Sequence, residues 1–222
     1  MSVKKLMCVA LTGLVLGGCV SKVTEEKQFS GFLPSYAGLQ QTKSASGEPT
    51  LSWVQEGFNP KAYDTIVFDQ VVLYPEAKPS PRVSLKTLQE VQGATSDSIK
   101  NLLAKHYRVV SSLDKAPTGS KVLIMHTAIT DVTAQNQSFK WYEVIPLAAI
   151  NAGLGTAFGY RDQNAEMYLE SDIVDAKTGL PMAKVVRKVF GADLENNKQV
   201  IVSKDFQVAI KAVMADMSAK LQ

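Results

Sequence analysis

The chain has 222 residues, a formal charge of +3 from 24 Lys+Arg against 21 Asp+Glu, and 45% hydrophobic residues. That balance excludes a disordered acidic tail, a collagen-like repeat, a polytopic membrane protein and a strongly basic nucleic-acid binder. With two Cys and two His, a disulfide scaffold and a multi-Cys or His-rich metal module are excluded as well.

The N-terminus carries Lys4 and Lys5, an uncharged run from Leu6 to Leu16, and then Gly17, Gly18 and Cys19. A basic start, a short apolar stretch and small residues at a cleavage point make an export signal. The run is too short to cross a bilayer, which needs roughly 20 apolar residues. Leu16-Gly17-Gly18-Cys19 resembles a bacterial lipobox, in which small residues fit the peptidase groove and the cysteine thiol accepts a diacylglyceryl group. On this reading residues 1–18 are a signal peptide that is removed, and Cys19 becomes the first residue and the lipid anchor. Each buried CH₂ of an acyl chain contributes about 0.8 kcal/mol, and two chains give stable anchoring.

Cleavage removes both lysines and no acid, so the formal charge falls by two and the excess basicity belongs largely to the signal. A mature domain of this kind lacks the concentrated basic face that counterion-driven nucleic-acid binding needs. Cys8 leaves with the signal and Cys19 becomes a thioether, which leaves no thiol for a disulfide, a metal or a nucleophile. Val20-Ser21 follows the cysteine, with no Asp next to it. In the bacterial sorting scheme that pattern implies the outer membrane, with the domain facing the periplasm.

Residues 19–50 divide into the lipidated Cys19, a polar tether over 20–28, an aromatic strap over 29–39 and a polar loop over 40–50. The strap holds Phe29, Phe32 and Tyr36, more large apolar side chains than a flexible linker needs. It either packs against the domain or docks on a partner. The single domain then runs from 51 to 222. Thr65–Leu73 is β-branched and apolar and reads as a strand, followed by a Pro-rich loop from Pro75 to Pro81. Ser84 opens a helical pattern with Leu85, Leu88, Val91, Ile99, Leu102 and Leu103. Gly93 weakens or interrupts it, giving one long helix or two shorter ones.

Tyr107–Val110 is a short strand, 114–120 a turn, and Lys121–Val132 a longer strand. Ala165–Asp175 alternates Met167, Leu169 and Ile173 against Glu166, Tyr168, Glu170 and Asp172. Asp175–Gly179 is a hairpin turn with Gly179 at the left-handed position, and Pro181–Phe190 is the return strand. Ser203 is placed to cap a last helix with Phe206, Ile210, Val213, Met214, Met217 and Leu221 on one stripe. The order β–α–β–β–β–β–α predicts an α/β (α+β) two-layer sandwich. Its sheet is mixed and mainly antiparallel, with an early helix and a C-terminal helix packed on it.

The lipobox, Phe-Ser-Gly-Phe-Leu-Pro-Ser-Tyr at 29–36, Tyr63 with Ile66-Val-Phe-Asp-Gln-Val-Val, and Asp175-Ala-Lys-Thr-Gly together resemble a Gram-negative lipoprotein family. It is catalogued as domain-of-unknown-function family 3313. The resemblance covers nearly the whole mature chain and supplies no catalytic residue to transfer. The element order is also similar to that of envelope lipoproteins related to the TolB N-terminal domain and the curli-secretion pore subunit. That is a likeness of fold, which does not carry function.

The chemistry-bearing residues are sparse. A serine hydrolase needs a Gly-x-Ser-x-Gly elbow with a His partner, and no elbow exists. His106 near a helix end and His126 in a strand lack the spacing of a zinc site. Gly153 to Gly159 matches neither Gly-x-Gly-x-x-Gly nor a Walker motif, so neither a cofactor nor a metal is expected. Glu166, Glu170 and Asp172 fall on one strand face and read as a solvated sheet surface. Lys184 and either Arg187 or Lys188 are placed to pair across to them at about 0.2–1 kcal/mol per pair.

Val144–Tyr160 contains no charge, with Trp141 and Tyr142 just before it. Aromatics beside an uncharged run suit a lipid interface, and Gly155 and Gly159 have the spacing of close helix approach. The segment is a buried connection, a self-association or partner surface centred on Leu154, or a membrane-inserted stretch. The expected function is non-catalytic: a lipid-anchored protein-contact or assembly module of the envelope, whose partners are the membrane, envelope proteins or itself. The alternatives are a hydrolase of cell-wall or glycan material using the acidic sheet residues, and a binder of lipid or lipoprotein cargo.

Overall fold

The computed structural model describes residues 23–76, 78–135, 163–196 and 198–221. Leu16, Gly17, Gly18 and Cys19 lie outside the described residues, as do Trp141, Leu154, Gly155 and Gly159. The strands are β1 (Gln40–Lys43), β2 (Pro49–Val54), β3 (Thr65–Val67), β4 (Val72–Leu73), β5 (Arg108–Val110), β6 (Val122–Gln135), β7 (Gln163–Asp175) and β8 (Pro181–Leu194). The helices are α1 (Leu85–Leu103) and α2 (Gln207–Leu221).

All eight strands join one sheet in the order β1-β2-β8-β7-β6-β3-β5, with β4 added alongside β6. β3 runs parallel to β5 and β6, and β4 parallel to β6. The β1-β2-β8-β7-β6 portion is antiparallel. Both helices pack on one face, so the expected two-layer α+β sandwich with a mainly antiparallel mixed sheet is the observed fold.

The core lies between that face and the helices. Leu88, Val91, Ile99 and Leu103 of α1 meet Leu123, Ile129, Met167, Leu169 and Val189 of the sheet, together with Phe206 and Ile210. Fully burying an aliphatic or aromatic side chain of this size contributes about 1.5–3 kcal/mol. α1 starts where Ser84 Oγ accepts the Thr87 N–H at 3.0 Å. Gly93 does not break it. The glycine is exposed, while the buried stripe continues past it through Val91, Thr95 and Ile99, with Thr95 Oγ1 donating to the Val91 carbonyl at 2.7 Å.

Four local expectations are corrected. The single strand over Thr65–Leu73 is split into β3 and β4: Phe68 N–H still bonds the Val110 carbonyl, while Val71 turns its backbone to α1, and both side chains are in the core. α1 satisfies the freed backbone: Ser96 Oγ accepts from Val71 N–H at 3.0 Å, and Gln92 Nε2 donates to the Val71 carbonyl at 2.8 Å. The polar loop over 40–50 is instead the β1–β2 hairpin, so the domain begins before residue 51, and Leu51 pairs with Val186 of β8.

Ser203 does not cap α2. Its hydroxyl donates to Glu90 at 2.7 Å, while Asp205 accepts the Val202 N–H at 2.9 Å ahead of a 3-10 turn over Ser203–Phe206. Arg187, finally, pairs with none of the strand acids. It points to the helix side, 2.6 Å from Asp216 of α2. Asp216 also accepts from Ser46 N–H at 2.6 Å, which ties the β1–β2 turn to the helix.

Candidate functional site

A strand turns alternate side chains to opposite faces. Met167 and Leu169 of β7 therefore go to the helices, and Glu166, Tyr168, Glu170 and Asp172 to the other face. The expected solvated surface is absent there. Glu166 is 3%, Glu170 1% and Asp172 5% exposed, and Lys184 and Lys188 of β8 are nearly as buried. The cover is the N-terminal strap, which lies along β7 and β8 and fastens to Tyr168, Glu170 and Lys184 in turn.

At the first level, Gln28 Nε2 donates to Tyr168 Oη at 3.0 Å, and Tyr168 Oη donates to Glu166 at 3.2 Å. Lys188 Nζ closes on Glu166 at 3.0 Å and lies over the Tyr168 and Phe190 rings. Burial, reinforced by the Glu166 charge, pushes the Tyr168 hydroxyl well above its ordinary range. Burial and the same carboxylate also raise Asp131, which sits opposite Tyr168 on β6.

One pleat further on, Glu170 accepts from the Ser30 N–H at 2.9 Å and from Tyr36 Oη at 2.5 Å. Tyr36 Oη in turn accepts the Gly31 N–H at 2.8 Å, so the strap folds back on itself over the carboxylate. Burial first, and then the bond to Glu170, raise the Tyr36 hydroxyl. At the next level Lys184 Nζ donates to the Ser35 and Ala37 carbonyls at 3.1 and 2.6 Å and lies 4.9 Å from the Trp53 ring centroid. Asp172, across from Lys184 in register, pairs instead with His126 Nδ1 at 2.9 Å. That bond raises the imidazole, and partial burial opposes it.

Gly38 ends the strap under Trp53. Its φ is +83°, and an added Cβ would lie 2.9 Å from Trp53 Cδ1.

Of the two alternatives for the aromatic residues, packing is what the structure shows. Phe29 stacks on Tyr36 with centroids 4.3 Å apart, and Phe32 meets Tyr74 edge-on at 5.6 Å. The tether is corrected as well. Thr24 is 4% exposed, Glu26–Gln28 form a 3-10 turn and Gln28 bonds Tyr168, so the stretch is held to the body at Thr24 and Gln28 while Glu25, Glu26 and Lys27 stay exposed. Gln28, Ser30, Trp53 and Tyr168 were not singled out from sequence. The available signal was an aromatic-rich strap together with a strand of acids facing a strand that carries Lys184 and Lys188.

The arrangement holds a chain segment in place, and the carboxylates at its centre are each engaged. Among the described residues are two shallow depressions, one at the edge of the strap and one beside α1. One of about 320 Å³ is bounded by Gln28, Ser30, Pro75, Thr130, Asp131 and Tyr168. Another of about 340 Å³ lies beside α1, lined by residues that include Asp69, Gln92 and Gly93. Neither is lined by Glu166, Glu170, Asp172 or His126. Among the described residues, no helix is long and apolar enough to cross a membrane.

The fold is a two-layer α+β body with its N-terminal segment strapped across the sheet face opposite the helices. The chain belongs to the family described as Protein of unknown function (DUF3313), whose model matches residues 28–217. It is 37% identical over 210 residues to Uncharacterized lipoprotein YdcL of Escherichia coli (strain K12), covering 94% of this chain and 90% of that protein. Likeness to a lipoprotein over nearly its whole length makes this chain a lipoprotein, held by lipid at a membrane of the cell envelope.

Among solved structures it is similar to the PelC dodecamer from Paraburkholderia phytofirmans, with TM-score 0.39 and 9% identity, covering 76% of this chain and 94% of that one. It is also similar to lipoprotein GNA1162 from Neisseria meningitidis, with TM-score 0.35 and 8% identity, covering 70% of this chain and 99% of that one. Likenesses this distant carry neither function nor assembly.

Proposed function

We propose that this lipoprotein resides at the outer membrane with its domain toward the periplasm, and acts there without catalysis, as a protein-contact or assembly module. One observation carries the reading. The acids that a hydrolase of cell-wall or glycan material would need are already engaged within the protein: Glu166 by Lys188 and Tyr168, Glu170 by Ser30 and Tyr36 of the strap, and Asp172 by His126. A general acid or base needs a proton-transfer path to substrate, and these carboxylates face the protein's own backbone and side chains. Lipid anchoring confines the domain to a surface and raises its effective concentration for neighbours in the same envelope.

Contacts are assigned to envelope proteins or to a second copy of the chain, through Trp141, Leu154, Gly155 and Gly159. The test is photo-crosslinking in the native envelope from position 154, beside a Leu154→Asp variant. Discrete adducts that the aspartate abolishes, with export and unfolding midpoint unchanged, are the expected result. Unchanged association in the variant defeats the contact role. Glycan turnover that Glu166→Gln or Glu170→Gln abolishes, in protein that is still folded, defeats the non-catalytic reading.

A further inference from the structure

The strap begins almost at the lipid. Thr24, already buried, is the fifth residue after Cys19. At no more than about 3.5 Å per residue, the acylated cysteine lies within roughly 17 Å of a fixed point on the domain. Gln28, four residues further on, bonds Tyr168 midway along β7. The Gln28 N–H donates to the Glu25 carbonyl at 2.8 Å, and the Glu25 N–H to Gln28 Oε1 at 2.8 Å. Those bonds keep residues 24–28 in one compact turn beside Tyr168. From there the strap passes Glu170 and then Lys184, moving along β7 toward the Asp175–Gly179 turn. Tyr168 and Asp175, where the turn begins, are seven residues apart on β7, about 23 Å at 3.3 Å per residue, which is longer than the leash.

The surface beside residues 24–28 is mixed, with exposed Glu25, Glu26 and Lys27 next to exposed apolar groups. The Tyr74 N–H bonds the Ile129 carbonyl at 3.0 Å, and Asp131 lies opposite Tyr168 in register. Tyr74 and Gln28 therefore stand at the same level of the sheet. Tyr74 is 38% and Val72 37% exposed, and Phe32 packs edge-on against Tyr74. Tyr side chains favour the membrane–water boundary, where the ring is dehydrated and the hydroxyl stays wet. We infer that the surface around Thr24–Gln28, Val72 and Tyr74 rests on the bilayer that holds the lipid, with the Asp175–Gly179 turn directed away from it. The partner of this surface is the lipid headgroup layer of the protein's own membrane. The inference rests on acylation of Cys19 but is independent of any contact made through residues 141–160.

Cleavage and acylation leave the chain without a free thiol, so one introduced cysteine takes a fluorophore uniquely. Lys27→Cys and Val72→Cys mark the near end; Ser120→Cys and Lys177→Cys mark the far end, where the Ala176 N–H bonds the Val122 carbonyl. Each labelled, acylated full-length protein is placed in vesicles of phosphatidylethanolamine and phosphatidylglycerol that contain headgroup spin-labelled lipid. Quenching several-fold stronger at 27 and 72 than at 120 and 177 is expected. Equal quenching at all four sites, stronger quenching at the far pair, or none at any site while the acyl mass is present overturns the orientation. Cys19→Ser is assayed separately by flotation and mass spectrometry. If it still floats with membranes, the lipid reading itself fails, and that failure is distinct from a wrong orientation.

Discussion

On the helix side of the sheet, Met167 and Leu169 lie against Phe206, Ile210 and the apolar stripe of α1. One residue away along the same strand, Glu166, Tyr168 and Glu170 are just as dry under the strap. The first face is held by area removed from water, a non-directional force that accepts any well-packed hydrophobe of the right volume. The second is held by pairs with fixed geometry. Desolvating two ions costs about as much as their attraction returns, so such a layer adds little net stability, yet removing one partner is expensive. The helix side therefore supplies most of the stability, and the strap side specifies where one segment of chain must lie.

Single substitutions sharpen or break that contrast. Phe206→Ala and Lys188→Ala are each expected to cost about 3–5 kcal/mol in urea unfolding, the first by opening a cavity, the second by stranding Glu166 without its cation. The double variant Glu166→Leu/Lys188→Met is expected to recover most of the second loss, and nothing comparable rescues the first. A Lys188→Ala cost below about 1 kcal/mol would mean the strap layer is wet and the contrast is wrong.

Tyr36→Phe removes a donor to a buried carboxylate and is expected to cost about 1.5–3 kcal/mol, with residues 29–39 becoming sensitive to limited proteolysis while the helix side stays protected. Gly38→Ala places a side chain at positive φ against Trp53 and is expected to cost roughly 1–2 kcal/mol, read as a loss of Trp53 fluorescence shift and the same local proteolysis.

The smallest effect is in pH. His126 is raised above its ordinary value near 6.5 by Asp172. Its contribution is therefore complete below that pH and is lost as pH rises through the folded-state value. With the imidazole half in solvent, the contribution is a fraction of 1 kcal/mol. NMR titration of His126 checks it: Asp172→Asn should lower its midpoint.

Much of the helix side was legible because its signal is local. The stripe of α1, the alternation of β7 and the Asp175–Gly179 turn are each written within a few residues. The β1–β2 hairpin was not legible: Gln40–Lys43 are all exposed, and only the pairing partner makes them a strand. The strap layer was misread for a different reason. Glu166, Tyr168, Glu170 and Asp172 alternate with apolar residues whether water or protein lies above them, and the tyrosine that covers Glu170 is 134 residues away.

The linear sequence by itself points to export, because the basic start, apolar run and small residues of positions 4–19 are written within one short segment and need no fold. It also settled the kind of the long elements α1, β6, β7 and β8, because periodicities of 2 and 3.6 are properties of the backbone alone. Only the tertiary structure decided that the acidic face is closed and that the N-terminal segment closes it. Burial and ion pairing are made between segments far apart in the chain, and no local pattern records which of them meet.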